Sequence, residues 1–468
     1  MHPLLNPAIV IPFCRHYLED PVRLERLSPS QLRRYQDQAL RRIIRYAATV
    51  PMYEEKYRQM NVNLKDIRGT EDISQHPFIT KDDLRTNYPD RIIPRSYKKN
   101  HGYIVCTGGT SGKPVYIFTD FPTMLFSLGP ALSQMQYFNL NLRTLRLANI
   151  GNFTCYRSDA VFQNNFLPKI RYFYSTKNIL NLDVDQPIRN LMSNLDAFHP
   201  DSILTYPSIL QHLAFLKKKG YGEHVNPRLL QVAGDILDDY TRQYVEDAFN
   251  CRLLNVYQSV EAQTSIAFEC YEGGWHVHSD FFLLEAIDRN HDPVSPGERG
   301  HLVITRLFGR GTPIIRYTGM DDWITLGDHE RCSCGLRSPI LKKPVEGRMR
   351  TNVVLPSGKV FPPGAFCFIE PVLHDLHTFK IQQYQVVQKT THEIEILLVV
   401  DEELRYVGPS ITQIMEGIQN AYQRKTGPDV NITIREVPEI RADPHSGKPA
   451  PIVVSKVSRE EGYQLLDN

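Results

Sequence analysis

The chain has 468 residues, 41% of them hydrophobic and 10% aromatic, enough for two or three domains and a sizeable buried core. Its 54 basic and 52 acidic side chains leave a formal charge of +2, which argues against nucleic acid or a membrane surface held by bulk electrostatics. No apolar run approaches the roughly 20 residues that span a bilayer, the first twenty residues lack a basic region followed by a long apolar one, and eight scattered cysteines suggest no disulfide framework. The expectation is a cytoplasmic protein that works on small molecules or with other proteins, with neither nucleic acid nor membrane as partner.

In chain order, the segment from Ser28 to Arg58 opens with a Ser-Pro-Ser capping signal, continues with apolar residues at helical spacing and is interrupted at Pro51. It predicts a helical N-terminal segment, reaching to about residue 90. From Tyr103 to about Tyr317, short β-branched or aromatic runs ("YIVCT", "LRLANI", "SILTY", "LLQVAG", "LLNVY") alternate with helical stretches such as "YPSILQHLAFLKKKG". That alternation predicts an α/β body with largely parallel sheets flanked by helices. Beyond Gly347 the texture changes to strands ("FKIQQYQVVQ", "EIEILLVV", "NITIREV") around one amphipathic helix ("ITQIMEGIQNAYQRK"), a small α+β domain. The expected boundaries are 1–347 for the large domain and 348–468 for the small one.

Within this frame, "CTGGTSGKPVYIFTD" places Thr107, Gly108, Gly109, Thr110, Ser111, Gly112 and Lys113 directly after a strand. Glycines let backbone N–H groups approach an anion, and hydroxyls and a lysine add donors. A Walker A loop needs glycine at the position of Thr107 and Ser or Thr at that of Pro114, so this is a different phosphate loop. Taken alone, it also reads as a polar hairpin.

The loop resembles the Ser/Thr-Ser-Gly-Thr-Thr-Gly-Lys-Pro nucleotide loop of the adenylate-forming acyl-CoA synthetase superfamily. The segments "IRYAATVPMYEEKY" and "FITKDDLR" are similar to its phenylacetate–CoA ligase and coenzyme F390 synthetase branch. That resemblance implies ATP-dependent activation of a carboxylic acid, and it implies roles for residues further along. Ala233, Gly234 and Asp235 would line the adenine, with Tyr257 against it. Gln258 and Ser259 follow in the motif, and Glu261 would hold Mg2+. Asp321, with Asp322 as its rival, would take the ribose hydroxyls. Arg348 would sit at the inter-domain hinge near the nucleotide, and Lys448, with Lys456 as its rival, would be the catalytic lysine of a mobile small domain. An aromatic ring suits a purine face, and a carboxylate suits a hard cation or a diol. The chain departs from the family pattern at Gly108, Gln258, Val260 and Thr351.

Tyr206, Pro207 and Ser208, with residues near Asn152, are the expected wall of an acid pocket, and an aromatic or heteroaromatic acid is the expected substrate. By the resemblance, the acyl group goes to coenzyme A. An amine, a hydroxyl or a carrier-protein thiol is the alternative acceptor, which would make an amide or ester synthetase, and a degenerate nucleotide-binding protein is a third reading. A homodimer is compatible with all three. Finally, Cys270, His276, Cys332 and Cys334, in "ECYEGGWHVH" and "CSCGLRSP", offer a tetrahedral ligand set for a structural zinc, with His278 as an alternative to His276.

Overall fold

The computed structural model describes residues 7–14, 27–107, 114–141, 143–153, 156–171, 175–234, 237, 239–288, 290–320, 322–327, 332–342, 353–361, 366, 368–378, 380–402, 404–440 and 453–457. Its N-terminal layer is helical, as expected. Ser28 accepts the N–H of Gln31 while the Gln31 side chain accepts that of Ser28, a capping box that starts the helix Pro29–Ala47. Leu32, Ala39, Leu40, Ile43, Ile44 and Ala47 form its buried stripe. A second helix, Pro51–Gln59, begins at the proline that interrupts the pattern.

Strands β1 (Gly102–Cys106) and β2 (Tyr116–Asp120) form an antiparallel hairpin, and the glycine-rich segment connects them. The central sheet contains β3 (Leu147–Gly151), β4 (Ile179–Asp183), β5 (Ser202–Thr205), β6 (Leu229–Ala233), β7 (Leu253–Ser259), β8 (Thr264–Glu269), β9 (Trp275–Val277) and, further along the chain, Ile340–Leu341 at its edge. Across the sheet the order is β4, β3, β5, β6, β7, β8, β9 and that edge strand. The first five are mutually parallel and joined through helices, including Ile188–Phe198, Pro207–Lys218 and Asp239–Phe249.

From β8 onward the pairing is antiparallel, a departure from the largely parallel expectation. Only Val260–Gln263 separates β7 from β8, a connection too short for a crossover to a parallel neighbour. A second antiparallel sheet follows, with β10 (Phe282–Ile287), β11 (Arg299–Arg306) and β12 (Trp323–Thr325).

In the C-terminal region, a four-stranded mixed sheet (Ile381–Thr390, Glu393–Val400, Asn431–Glu436, Val453–Ser455) carries the helix Ile411–Thr426, which starts at a Ser410 capping box. The hairpin Val353–Val354 and Val360–Phe361 lies against the large body: Ile188 donates to the Gly358 carbonyl at 2.9 Å, and Lys425 pairs with Asp185 at 2.7 Å. One hydrophobic cluster runs through both regions, with Leu210 and Leu213 on one side and Phe361, Phe366 and Tyr422 on the other. The expected boundary at 347/348 lies outside the described residues. Among the described residues, no helix is long and apolar enough to cross a membrane.

Candidate active site

In an open α/β sheet, ligands lie beyond the carboxyl ends of parallel strands. Here those ends carry Gly151 (β3), Thr205 (β5), Ala233 (β6) and Ser259 (β7), and a cavity of about 420 Å3 opens over them. Ala233, Gly234, Gln258, Ser259 and Val260 line one side, and Tyr206 lies between them and the β3 end. Gly234 has φ +83°, and a Cβ there would meet the Tyr206 ring at 2.9 Å, so glycine is needed for both backbone and contact. Of the expected acid-pocket residues, Tyr206 and Asn152 line the cavity, Pro207 is buried at the first position of its helix, and Ser208 follows in that helix.

Glu261 sits in the tight turn between β7 and β8, only 6% exposed. Tyr317, fully buried, donates its hydroxyl to Glu261 Oε1 at 3.1 Å. Burial pushes the Glu261 carboxyl up, while its own backbone N–H, Lys81, Tyr317 and Ser259 oppose the shift. A hard cation beside this carboxylate would relieve the same desolvation, so the residue fits a magnesium ligand.

Beneath it lies Arg306, the last residue of β11 and fully buried, whose guanidinium donates to the Glu261 carbonyl at 2.9 Å and to the Thr312 carbonyl at 2.6 Å. Burial pulls its pKa down to about 10. Sequence reading missed Arg306; its signal is a lone arginine inside the largely apolar run "LVITRLF".

Tyr257 packs between two hydrophobic clusters and donates to Asp322 Oδ2 at 2.6 Å. Asp322 is therefore engaged by the tyrosine. Thr107 closes the base of the glycine-rich loop: its N–H reaches the Val115 carbonyl at 3.0 Å, and its Oγ1 accepts the Val115 N–H at 3.0 Å. Gly108 through Lys113, Asp235, Asp321, Arg348 and Lys448 lie outside the described residues. Lys456 is exposed, in accord with its reading as a surface residue.

Away from the cavity, Cys270, His276, Cys332 and Cys334 converge, with one ligand atom from each lying within 4.8 Å of all the others. Cys270 Sγ and Cys332 Sγ are 3.8 Å apart, and Cys334 Sγ is 3.2 Å from His276 Nε2. Two thiolates on a tetrahedral zinc, at bonds of about 2.3 Å, stand about 3.8 Å apart, so the donor set fits the ion. Ser338 holds His276 Nδ1 at 3.0 Å and leaves Nε2 toward the sulfurs, and Gly274 donates its N–H to Cys270 Sγ at 3.2 Å. Burial pushes the Cys270 thiol up and the Cys334 thiol to about 12, a penalty on thiolates that a cation offsets. His278, the alternative ligand, is instead bonded to Gln134 at 3.1 Å.

The chain is 24% identical over 447 residues to a phenylacetate–coenzyme A ligase of Thermus thermophilus, covering 88% of this chain and 93% of that protein. A phenylacetate–coenzyme A ligase of Escherichia coli is 27% identical over 320 residues, 64% of this chain and 68% of that one. Among solved structures, 2-hydroxyisobutyryl-CoA ligase in complex with 2-HIB-AMP and CoA superposes with a TM-score of 0.60 at 18% identity, covering 95% of this chain and 94% of that chain. Protein-family profiles return no match. By sequence the chain is similar to phenylacetate–coenzyme A ligases, and it shares the fold of 2-hydroxyisobutyryl-CoA ligase.

Proposed function

We propose that the protein activates a carboxylic acid with ATP and passes the acyl group to coenzyme A. In the first step a carboxylate oxygen attacks the α-phosphorus, the bond to the β-phosphate oxygen breaks, and acyl-adenylate and pyrophosphate form. In the second, the coenzyme A thiolate attacks the acyl carbonyl and AMP leaves. The observation that carries this reading is the single cavity lined both by the motif residues Ala233, Gly234, Gln258 and Ser259 and by the expected acid-pocket residues Tyr206 and Asn152.

In this reading Glu261, fixed by Tyr317 and Arg306, holds Mg2+, which supplies charge neutralisation on the phosphate oxygens when bound. The family motif assigns the loop from Thr107 to Lys113 to the pyrophosphate, Asp235 to the adenine, Asp321 to the ribose, Arg348 to the hinge near the nucleotide and Lys448 to the α-phosphate. Residues 348–468 form the small domain that carries Lys448 in and out, and the protein is cytoplasmic. Zinc on Cys270, His276, Cys332 and Cys334 ties the β8–β9 turn to the segment after β12. Metal analysis of protein purified without chelator should give one zinc per chain, and Cys332→Ser should remove it and lower the Tm; a zinc content near zero refutes the assignment.

Incubation with ATP, Mg2+, coenzyme A and acid should yield AMP and an acyl thioester by mass spectrometry. AMP release with acyl transfer only to an added amine, hydroxyl or carrier protein replaces coenzyme A as acceptor. Lys448→Ala should suppress adenylate formation by at least about 100-fold and largely spare transfer from supplied acyl-adenylate. Equal loss of both half-reactions contradicts the moving-domain mechanism.

A further inference from the structure

The part of the cavity farthest from the nucleotide residues is polar. From β6 to β3 is two strand spacings, about 10 Å, so the pocket reaches one ring and one substituent beyond Gly234. Its volume lies near the low end of the roughly 300–1,000 Å3 usual for ligand pockets, which disfavours a long acyl chain. Ile150, Val161 and Phe162 give it apolar walls. Its end is built differently. Asp159 is pressed against the end of β3, where its Oδ2 accepts the Asn152 N–H at 3.1 Å and a Cβ at Gly151 would overlap its carboxylate.

The same cavity is lined by residues with buried polar atoms that have no partner among the described residues: Ser158 Oγ beside Asp159, Thr205 Oγ1 on β5 and Gln263 Nε2 in the β7–β8 turn. Thr205 is only 4% exposed. Gln263, a lining residue, spends its Oε1 on the Thr119 hydroxyl at 2.7 Å, which leaves its amide nitrogen without a partner among the described residues. Buried polar atoms are almost always satisfied, and each orphan costs about 1–3 kcal/mol. Several around one cavity mark a place where the ligand supplies the missing bonds.

Resting on the acid-activation reading, we propose that the substrate is a ring-sized monocarboxylic acid bearing a hydroxyl opposite its carboxylate, recognised by Asp159 together with Thr205, Ser158 and Gln263. A hydroxyl donates to the Asp159 carboxylate and accepts from the Gln263 amide or the Thr205 hydroxyl, so one group serves donors and acceptors alike. An unsubstituted ring fills the apolar walls and leaves the polar end unsatisfied, the situation in which hydrogen-bonding sites discriminate most strongly. Burial, with Asp183 adding to it, pushes the Asp159 carboxyl to about 6, in keeping with a group awaiting a partner.

The test is acid-dependent pyrophosphate exchange with 4-hydroxybenzoate and 4-hydroxyphenylacetate against benzoate and phenylacetate. The hydroxylated acid of each pair should have a kcat/KM at least about tenfold higher. Asp159→Asn should shrink that ratio at least about tenfold, and Thr205→Val should shrink it to a lesser extent as a second, shape-preserving variant. Exchange that favours the unsubstituted acids, or an Asp159→Asn loss equal for all four, overturns the inference and leaves acid activation standing. Absence of exchange with every acid removes acid activation, and this inference with it.

Discussion

The groups behind the turn after β7 and the lining of the cavity itself are built differently. Behind that turn, Glu261, Tyr317, Arg306 and Thr312 are tied together by hydrogen bonds, and a fully buried guanidinium spans two carbonyls, with only its Nε lacking a partner among the described residues. In the cavity lining, Thr205 on β5, Ser158 beside the end of β3 and Gln263 in the β7–β8 turn keep buried polar atoms without partners among the described residues. The first arrangement holds a reacting group in place before anything binds; the second leaves stabilisation to be gained on binding. A nucleotide and its cation are common to every turnover and favour a fixed support. The acid is what must be selected, and selection comes from bonds that only the right ligand completes.

The comparison can be broken most strongly at Glu261. Glu261→Gln keeps shape and the Tyr317 contact while removing charge, and adenylate formation should fall by about 10^2- to 10^3-fold at saturating Mg2+, with the unfolding midpoint little changed. Retained activity would remove the fixed support from the chemistry.

Arg306→Lys sharpens the contrast through stability. An ammonium cannot span the Glu261 and Thr312 carbonyls as a planar fork does. One buried carbonyl then loses a charge-assisted bond, and denaturant unfolding should show a loss of about 2 kcal/mol together with a lower kcat.

In the cavity lining the sign should reverse. The Asp159 carboxyl sits at about 6, against an ordinary value of 3.8. Because burial favours its protonated form, its contribution to stability is greatest below pH 3.8, declines as pH rises between the two values, and is lost above 6. Asp159→Asn, neutral throughout, should therefore stabilise the protein at pH 7 by an amount on the order of 1–3 kcal/mol, and the gain should vanish toward pH 4. A variant that is destabilised at pH 7 would make Asp159 part of the satisfied scaffold.

The frame of the molecule was legible in the sequence because it rests on local signals. Ser28 and Ser410 cap helices through side chains three residues away, and the runs ending at Gly151, Thr205 and Ala233 are short apolar strands. The convergence of Cys270, His276, Cys332 and Cys334 was legible too, since three thiols and an imidazole suit one tetrahedral ion. The change to antiparallel pairing was readable in the four residues between β7 and β8, but the alternation of strands and helices before it masked the signal.

The polar end of the cavity was hidden for a different reason. In sequence, Arg157, Ser158 and Asp159 look like the polar start of a short surface helix. Only the packing of that helix against the end of β3, two strands from β6, turns them inward. Likewise, Arg306 acquires its role from the β7–β8 turn, 45 residues earlier in the chain.

The most direct measurement is exchange of labelled pyrophosphate into ATP, run with Mg2+ across a panel of aryl and alkyl acids and in the absence of coenzyme A. Acid activation predicts exchange that requires both Mg2+ and a carboxylic acid, is strongest with ring-sized acids and is lost in Glu261→Gln. Exchange absent with every acid, or unaffected by omitting the acid, would contradict it.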